Sequence, residues 1–314
     1  MVSREPCENV KAVVTGGAGF IGSHLVNRLV ELGHQVTVID DESAEYANAL
    51  PRNHQAAYHK IDICDYEGIL PLFERAKFVF HLAAESRIQP TLLRPQRACQ
   101  VNLVGTCNVL QASRACGVGK VMYSSTSSAY GLKNTPPLKE DAKNDCLNPY
   151  SVSKAAAEDL CRMYYILFGL GTVTFRYFNV YGEGQCLSGQ YAPVIGAFLR
   201  QKSAGEDMSI VGDGLQRRDF THVSNVIAAN LLAAFSEDES ILGETFNIGM
   251  GESHSILEVC EMIGGRRRFI PARLGEARNS TADISKAKSL LGYAPAMRLQ
   301  DWINKNNVKA PYVS

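Results

Sequence analysis

Val13-Val14-Thr15-Gly16-Gly17-Ala18-Gly19-Phe20-Ile21-Gly22-Ser23-His24-Leu25 decides the fold. It ends an apolar run that begins at Val10, turns on glycines, and enters a helical pattern that extends to Leu32. A strand, a tight glycine turn and a helix N-terminus, in that order, make a cradle for a dinucleotide pyrophosphate. Gly16 permits the turn, Gly19 lets backbone approach the phosphates, and Gly22 lets helix pack closely on strand. Phe20 and Ile21 fill the first helical turn, whose free N–H groups and positive dipole end favour an anion.

Outward from this segment, strand-like runs alternate with helical patterns. Val10–Thr15, Gln35–Ile39, Ala57–Ile61, Phe78–Leu82, Lys120–Ser124 and Val173–Tyr177 read as strands, and Ile21–Leu32, Pro95–Cys116 and Tyr150–Phe168 as helices. The alternation predicts an α/β, Rossmann-like, doubly wound parallel sheet whose ligands sit beyond the C-terminal strand ends. Beyond Phe178 the pattern loosens into short elements separated by glycine-rich stretches. A large dinucleotide domain over 1–178, with 220–250 returning to it, is therefore expected beside a smaller α/β region from 179–219 and 251–314.

Composition excludes several classes of function. The chain has 314 residues, 32 basic against 32 acidic side chains, and a 46% hydrophobic fraction. That balance offers no field for a nucleic-acid partner. No segment reaches the roughly 20 apolar residues of a membrane span. The nine cysteines are scattered, with no C-x-x-C pair, and read as reduced thiols of a cytoplasmic protein rather than metal ligands.

Strand ends carry the cofactor chemistry. Asp40 lies 18 residues beyond Gly22, near the spacing at which an acid grips the adenosine ribose, and its charge favours NAD over a 2′-phosphorylated cofactor. Asp62 and Ile63 follow the third strand, toward an adenine. Leu82, Ala83 and Ala84 follow the fourth, where small residues let a cofactor approach backbone; His81 before them reads as a packed core histidine.

Tyr150 and Lys154 are four apart, on one face of a helix. A protonated lysine beside a tyrosine stabilises the phenolate and makes a general base or acid for a sugar hydroxyl or ketone. Thr126, at a strand end, places a hydroxyl that can share the hydrogen bond to the same oxygen.

Gly16–Gly22, Asp40, Asp62, His81–Ala84, Asn102, Ser124–Gly131 and the Tyr150/Lys154 pair together resemble the extended short-chain dehydrogenase/reductases, in particular their nucleotide-sugar 4-epimerase branch. The resemblance runs from Lys11 to about Pro295. It implies catalysis by Thr126, Tyr150 and Lys154, and an NAD site that includes Asn102 and Ser124. It implies a UDP-sugar held in the smaller region by Asn179, Arg218 and Arg273, whose guanidinium forks suit a diphosphate. Ser86, Ser127, Tyr191 and Ser280 join that substrate site. A small residue at 280 goes with room for a C2 N-acetyl group. UDP-N-acetylglucosamine/UDP-N-acetylgalactosamine is thus the expected pair, with UDP-glucose/UDP-galactose also accepted.

Dehydratase relatives place Asp-Glu directly after the catalytic threonine, and decarboxylases a Glu two residues after it; here Ser127 and Ser128 stand there. A 4,6-dehydratase, a decarboxylase or a UDP-glucuronate epimerase is the alternative reading, and a non-catalytic NAD sensor the outside one. The chain departs from the family pattern at Glu183-Gly184, where many relatives have Pro-Arg, and at Ser224-Asn225, which replaces an acidic pair. Relatives pair through two long helices, so a homodimer through Pro95–Cys116 and Tyr150–Phe168 is expected.

Overall fold

The computed structural model describes residues 9–44, 51–187, 192–272 and 277–307. Each of the six expected strands forms, with boundaries shifted by one or two residues. They are β1 (Lys11–Thr15), β2 (Gln35–Asp40), β3 (Ala57–Lys60), β4 (Ala76–His81), β5 (Lys120–Thr126) and β6 (Gly171–Tyr177). A seventh sheet strand, β7 (Thr245–Ile248), completes the order β7-β6-β5-β4-β1-β2-β3. β1 pairs in parallel with β2 on one side and β4 on the other, Thr15 standing beside both Ile39 and His81. The chain order reverses at β1/β4, the switch point where doubly wound sheets bind ligands. Ala12 to Thr15 are buried without a solvent-facing side, as expected of a parallel strand covered on both faces.

Helix α1 (Phe20–Glu31) follows the glycine turn. The expected helix Pro95–Cys116 is not continuous α-helix. It runs as α2 (Pro95–Cys99), a π-helical stretch Gln100–Gly105 and α3 (Thr106–Ala115). At Gly105 an added Cβ would lie 2.7 Å from Ile63 Cδ1, so the wide turn rests tightly on the segment that follows β3. Helix α4 (Pro149–Phe168) begins with a reciprocal Asn148/Ser151 capping box and proline in its first turn, and stops at left-handed Gly169.

By contact, the chain falls into two compact units. The first comprises Met1–Ser125, Asn148–Thr174 and Ala233–Glu244, and the second Thr126–Leu147, Phe175–Leu232 and Thr245–Ser314. The first is organised around Val13, Ile39, Phe73, Val79, Leu110, Val121 and Tyr123. The second packs around Tyr181, Phe198, Ile210, Phe220, Val259 and Trp302. Within the second unit, the fully buried Asp219 carboxylate accepts backbone N–H groups of Met250 (2.7 Å), Gly251 (3.0 Å) and Ala282 (3.2 Å), tying three distant segments together.

Candidate active site

The glycines of the β1–α1 turn do different jobs. Gly16 has φ +73°, and a Cβ there would sit 2.6 Å from Ala83 N. The turn therefore lies directly on the backbone that leaves β4, and Gly16 N–H donates to Ile39 O of β2 (2.8 Å). A Cβ at Gly22 would come within 2.1 Å of Gly16 O, so this glycine lets the helix start pack under the turn itself. Gly17, not singled out from sequence, makes room for Val38. At Gly19 the nearest atom is 3.3 Å away, and it is Gly16 O. That approach is tighter than an ordinary contact but far looser than at Gly16 or Gly22, so protein packing constrains Gly19 least of the three. No side chain caps α1, and its first turn holds no acid. This cradle and helix N-terminus fit a dinucleotide diphosphate.

Asp40, at the end of β2, is tied to the loop. It accepts the N–H groups of Ala18 (3.0 Å) and Glu42 (2.8 Å). Burial raises its pKa, and the neighbouring acids Asp41 and Glu42 push the same way. Asp62 is held by a residue the sequence did not signal. Arg97 Nη2 lies 2.8 Å from Asp62, 3.4 Å from Asp41, and its Nε 3.7 Å from Glu85. Burial pulls Asp62 up, but the Cys64 N–H and Arg97 outweigh it and hold the carboxyl below its usual range. The Ile63 side chain packs in the core.

His81 is fully buried and makes two hydrogen bonds, Nδ1 with Thr15 Oγ1 (2.6 Å) and Nε2 with Thr106 Oγ1 (2.8 Å). Thr106 donates to Asn102 O, so the shared proton lies on His81 Nε2. Burial drives this histidine down to about 3, with Lys154 adding to the effect. It is a neutral structural group. Leu82 N–H donates to Thr15 O, which fixes the exit from β4 against β1. Asn102, within the π-helical stretch, has its side chain engaged by the protein on both sides. Oδ1 accepts Glu85 N–H (2.8 Å), and Nδ2 donates to Glu85 O (3.1 Å) and Ser153 Oγ (3.0 Å). It clamps the loop after β4 to the residue before Lys154. Ala84 is half-buried in that loop, and Ser86 beyond it is exposed.

Tyr150, half-buried, stands in the first turn of α4, with Lys154 one turn on and buried. Lys154 Nζ lies 4.2 Å from the centroid of the Tyr123 ring. Burial pushes the lysine down to about 7. Ser124 and Ser125 are buried on β5, and Ser125 Oγ donates to Glu158 of α4. Thr126 ends the strand and accepts Ser128 N–H at its Oγ1 (3.1 Å), which leaves its own hydroxyl proton to donate. Ser127, half-buried, opens the short 3-10 turn that follows.

In the second unit, Asn179, Arg218 and Ser280 come together. Asn179, with φ +30°, donates from Nδ2 to Asp219 O (2.9 Å). Arg218 and Ser280 are register partners in a parallel pair of short strands, and Arg218 Nη1 donates to Ala277 O (2.7 Å). Ser280 Oγ is buried with no hydrogen-bond partner among the described residues. Tyr191 and Arg273 lie outside the described residues. Glu183, one departure from the family pattern, accepts Trp302 Nε1–H (2.7 Å) and lies 3.2 Å from His222 Nε2, so it anchors helix Leu299–Asn307. Asn225, another departure, accepts the N–H groups of Ala296 (3.0 Å) and Met297 (3.2 Å). Among the described residues no group of acids, histidines and cysteines is placed to hold a metal ion, and no helix is long and apolar enough to cross a membrane.

Comparison with known proteins gives the same picture. The model of the NAD dependent epimerase/dehydratase family matches residues 12–249. A UDP-N-acetyl-alpha-D-glucosaminuronate decarboxylase of Bacillus cytotoxicus is 35% identical, covering 91% of this chain and 92% of its own. The crystal structure of the UDP-glucose 4-epimerase of Thermotoga maritima, with UDP-glucose, superposes with a TM-score of 0.88 at 33% identity, covering 96% of this chain and 100% of that one. A UDP-N-acetylglucosamine 4-epimerase from Methanobrevibacter ruminantium, in complex with UDP-N-acetylmuramic acid, gives 0.88 at 31% identity, covering 95% and 96%. The match over most of the chain, together with the glycine cradle and the Tyr150/Lys154 pair, places this protein in the NAD-dependent epimerase/dehydratase family.

Proposed function

We propose that this protein is a NAD-dependent 4-epimerase of UDP-sugars acting on the UDP-N-acetylglucosamine/UDP-N-acetylgalactosamine pair, with UDP-glucose/UDP-galactose as secondary substrates. One observation carries the choice among the reactions of the family. Tyr150 and Lys154 stand together on α4, while Ser124–Gly131, where dehydration and decarboxylation draw on an added carboxylate, contains no acid. The relative named as a decarboxylase keeps that reaction as the second reading.

Bound NAD supplies the acceptor and donor of the C4 hydride. Tyr150 takes the proton of the C4 hydroxyl, and the Lys154 ammonium stabilises the phenolate that does so. The Thr126 hydroxyl donates to the same sugar oxygen. Asn179, Arg218 and Arg273 hold the diphosphate. The 4-keto sugar turns and regains its hydrogen on the other face, so Tyr150 returns the proton it took and no net oxidation results. Ser280, a small residue in register with Arg218, supports the N-acetylated pair, since a small side chain there goes with room for a C2 N-acetyl group in the family this chain resembles. Two of the relatives named above carry an N-acetylated sugar in their names.

The same reading makes the protein a homodimer through the outer faces of α2, α3 and α4. Val104, Val152, Ile166 and Leu167 are exposed on these segments, apolar side chains that a partner would cover. Incubation with UDP-N-acetylglucosamine, UDP-glucose and UDP-glucuronate, without added NAD and followed by NMR, tests the function. C4 epimers are expected. A 4-keto-6-deoxy sugar or carbon dioxide overturns the reading in favour of dehydratase or decarboxylase.

A further inference from the structure

We propose that Arg97 is a positioning residue for the adenosine end of the NAD site: its one guanidinium meets Asp41, Asp62 and Glu85 and so fixes the loops after β2, β3 and β4 relative to one another. The proposal rests on the reading that the adenosine end of NAD lies at Asp40 and Asp62. β4, β1, β2 and β3 are neighbours in the sheet, so the loops leaving their C-terminal ends stand side by side where a dinucleotide lies. Arg97, on α2, reaches a carboxylate on three of these loops. Its Nη2 lies 2.8 Å from Asp62 and 3.4 Å from Asp41, and its Nε 3.7 Å from Glu85.

Each acid is also held within its own loop. Asp41 Oδ1 accepts the N–H (3.0 Å) and the hydroxyl (2.7 Å) of Ser43, and its Oδ2 is the oxygen that faces Arg97. Asp62 Oδ1 accepts Cys64 N–H (2.9 Å), and its Oδ2 accepts from Arg97. The Glu85 backbone is clamped on both sides by Asn102. These bonds shape each loop singly, and Arg97 joins the three. Asp40, beside Asp41, accepts Ala18 N–H, so the bracket continues into the glycine turn. No other cation among the described residues pairs with Asp41, Asp62 or Glu85, whereas Glu42 has Arg52 and Lys60. The four side chains are 22–33% exposed, and ion pairs open to water add little to stability. Without Arg97, three carboxylates converge with no counter-charge and repel. The effect therefore falls on where the loops stand, and so on cofactor affinity more than on folding.

The test measures binding of NAD and of ADP-ribose, which carries the adenosine end without the nicotinamide, by calorimetry on the dialysed full chain. Arg97→Met should weaken both by the same factor, about tenfold, because the ligand must then order the released side chains itself. At saturating NAD, kcat and the KM for the UDP-sugar turned over should stay within about twofold of the parent. Arg97→Lys keeps the charge but not the planar fork. It should bind with intermediate affinity, and serves if Arg97→Met does not fold. Asp40→Ala separates the proposal from the reading beneath it. Parental affinity in the Arg97 variants beside a loss in Asp40→Ala overturns the proposal alone. Parental affinity in Asp40→Ala overturns the reading that the adenosine end lies there. A loss for NAD without one for ADP-ribose, or an equal loss in the KM for the sugar, also overturns the proposal.

Discussion

Lys154 Nζ lies 4.2 Å from the centroid of the Tyr123 ring, while Tyr123 Oη donates to Lys154 O at 3.2 Å. One aromatic residue on the neighbouring strand thus holds both ends of the lysine. The two contacts separate by mutation. Tyr123→Phe keeps the ring and loses the hydrogen bond, and should cost about 1 kcal/mol in urea unfolding with kcat nearly unchanged. Tyr123→Leu also removes the ring face, an interaction worth about 2 kcal/mol when desolvated. Its alkaline limb of activity should move to lower pH. Equal pH profiles for the two variants would show that the ring does not support the ammonium.

Lys154 ties activity and stability to pH in opposite directions. Burial lowers its pKa from 10.5 to about 7 in the folded chain. Between those values the unfolded chain binds the proton and the folded chain does not, so raising pH through this window favours the fold. Activity needs the ammonium, so kcat/KM should fall as pH rises through about 7. Over the same window the Tm of the parent should gain on that of Lys154→Met. Lys154→Met and Tyr150→Phe should each lose about 10²–10⁴-fold in kcat at pH 7.

The glycine loop separates fold from ligand. Gly22→Ala places a Cβ 2.1 Å from Gly16 O and should lower Tm markedly. Gly19→Ala meets nothing closer than 3.3 Å at a residue already in extended conformation, φ −78° and ψ 178°. It should fold with a near-parental Tm and yet bind NAD at least about tenfold more weakly, a loss of about 1.4 kcal/mol by calorimetry. Parental affinity in Gly19→Ala would put the diphosphate elsewhere.

Asp219 tests what holds the second unit together. Asp219→Ala strands three backbone N–H groups, at Met250, Gly251 and Ala282. At about 1–3 kcal/mol each, the loss should exceed about 3 kcal/mol in urea unfolding, with Asp219→Asn intermediate.

The sheet was legible in the sequence because β-branched and apolar runs such as Lys11–Thr15 and Lys120–Thr126 are buried on both faces, which only parallel strands require. Gly16 and Gly22 were legible because backbone sterics demand glycine there, while Asp40, Tyr150 and Lys154 could be read as candidates from their spacing. Long-range partners were not. Arg97 reads as an ordinary helical arginine until the fold brings Asp41, Asp62 and Glu85 around it from three loops. The π-helical break at Gln100–Gly105 leaves no proline or paired-glycine mark, and arises where Gly105 meets Ile63. Asn102, read as a cofactor ligand, also bonds Glu85 and Ser153, contacts invisible in the local chain. Glu183, in sequence only a departure from the family pattern, finds its partners in Trp302 and His222 far along the chain.

The central claim is that hydrogen leaves C4 of a UDP-sugar and returns to the same carbon on the opposite face. UDP-N-acetylglucosamine deuterated at C4, incubated in ordinary water without added NAD, tests it by NMR. The account predicts the C4 epimer with its deuterium retained. Recovery of unchanged sugar, or of an epimer that has exchanged its label with water, would contradict it.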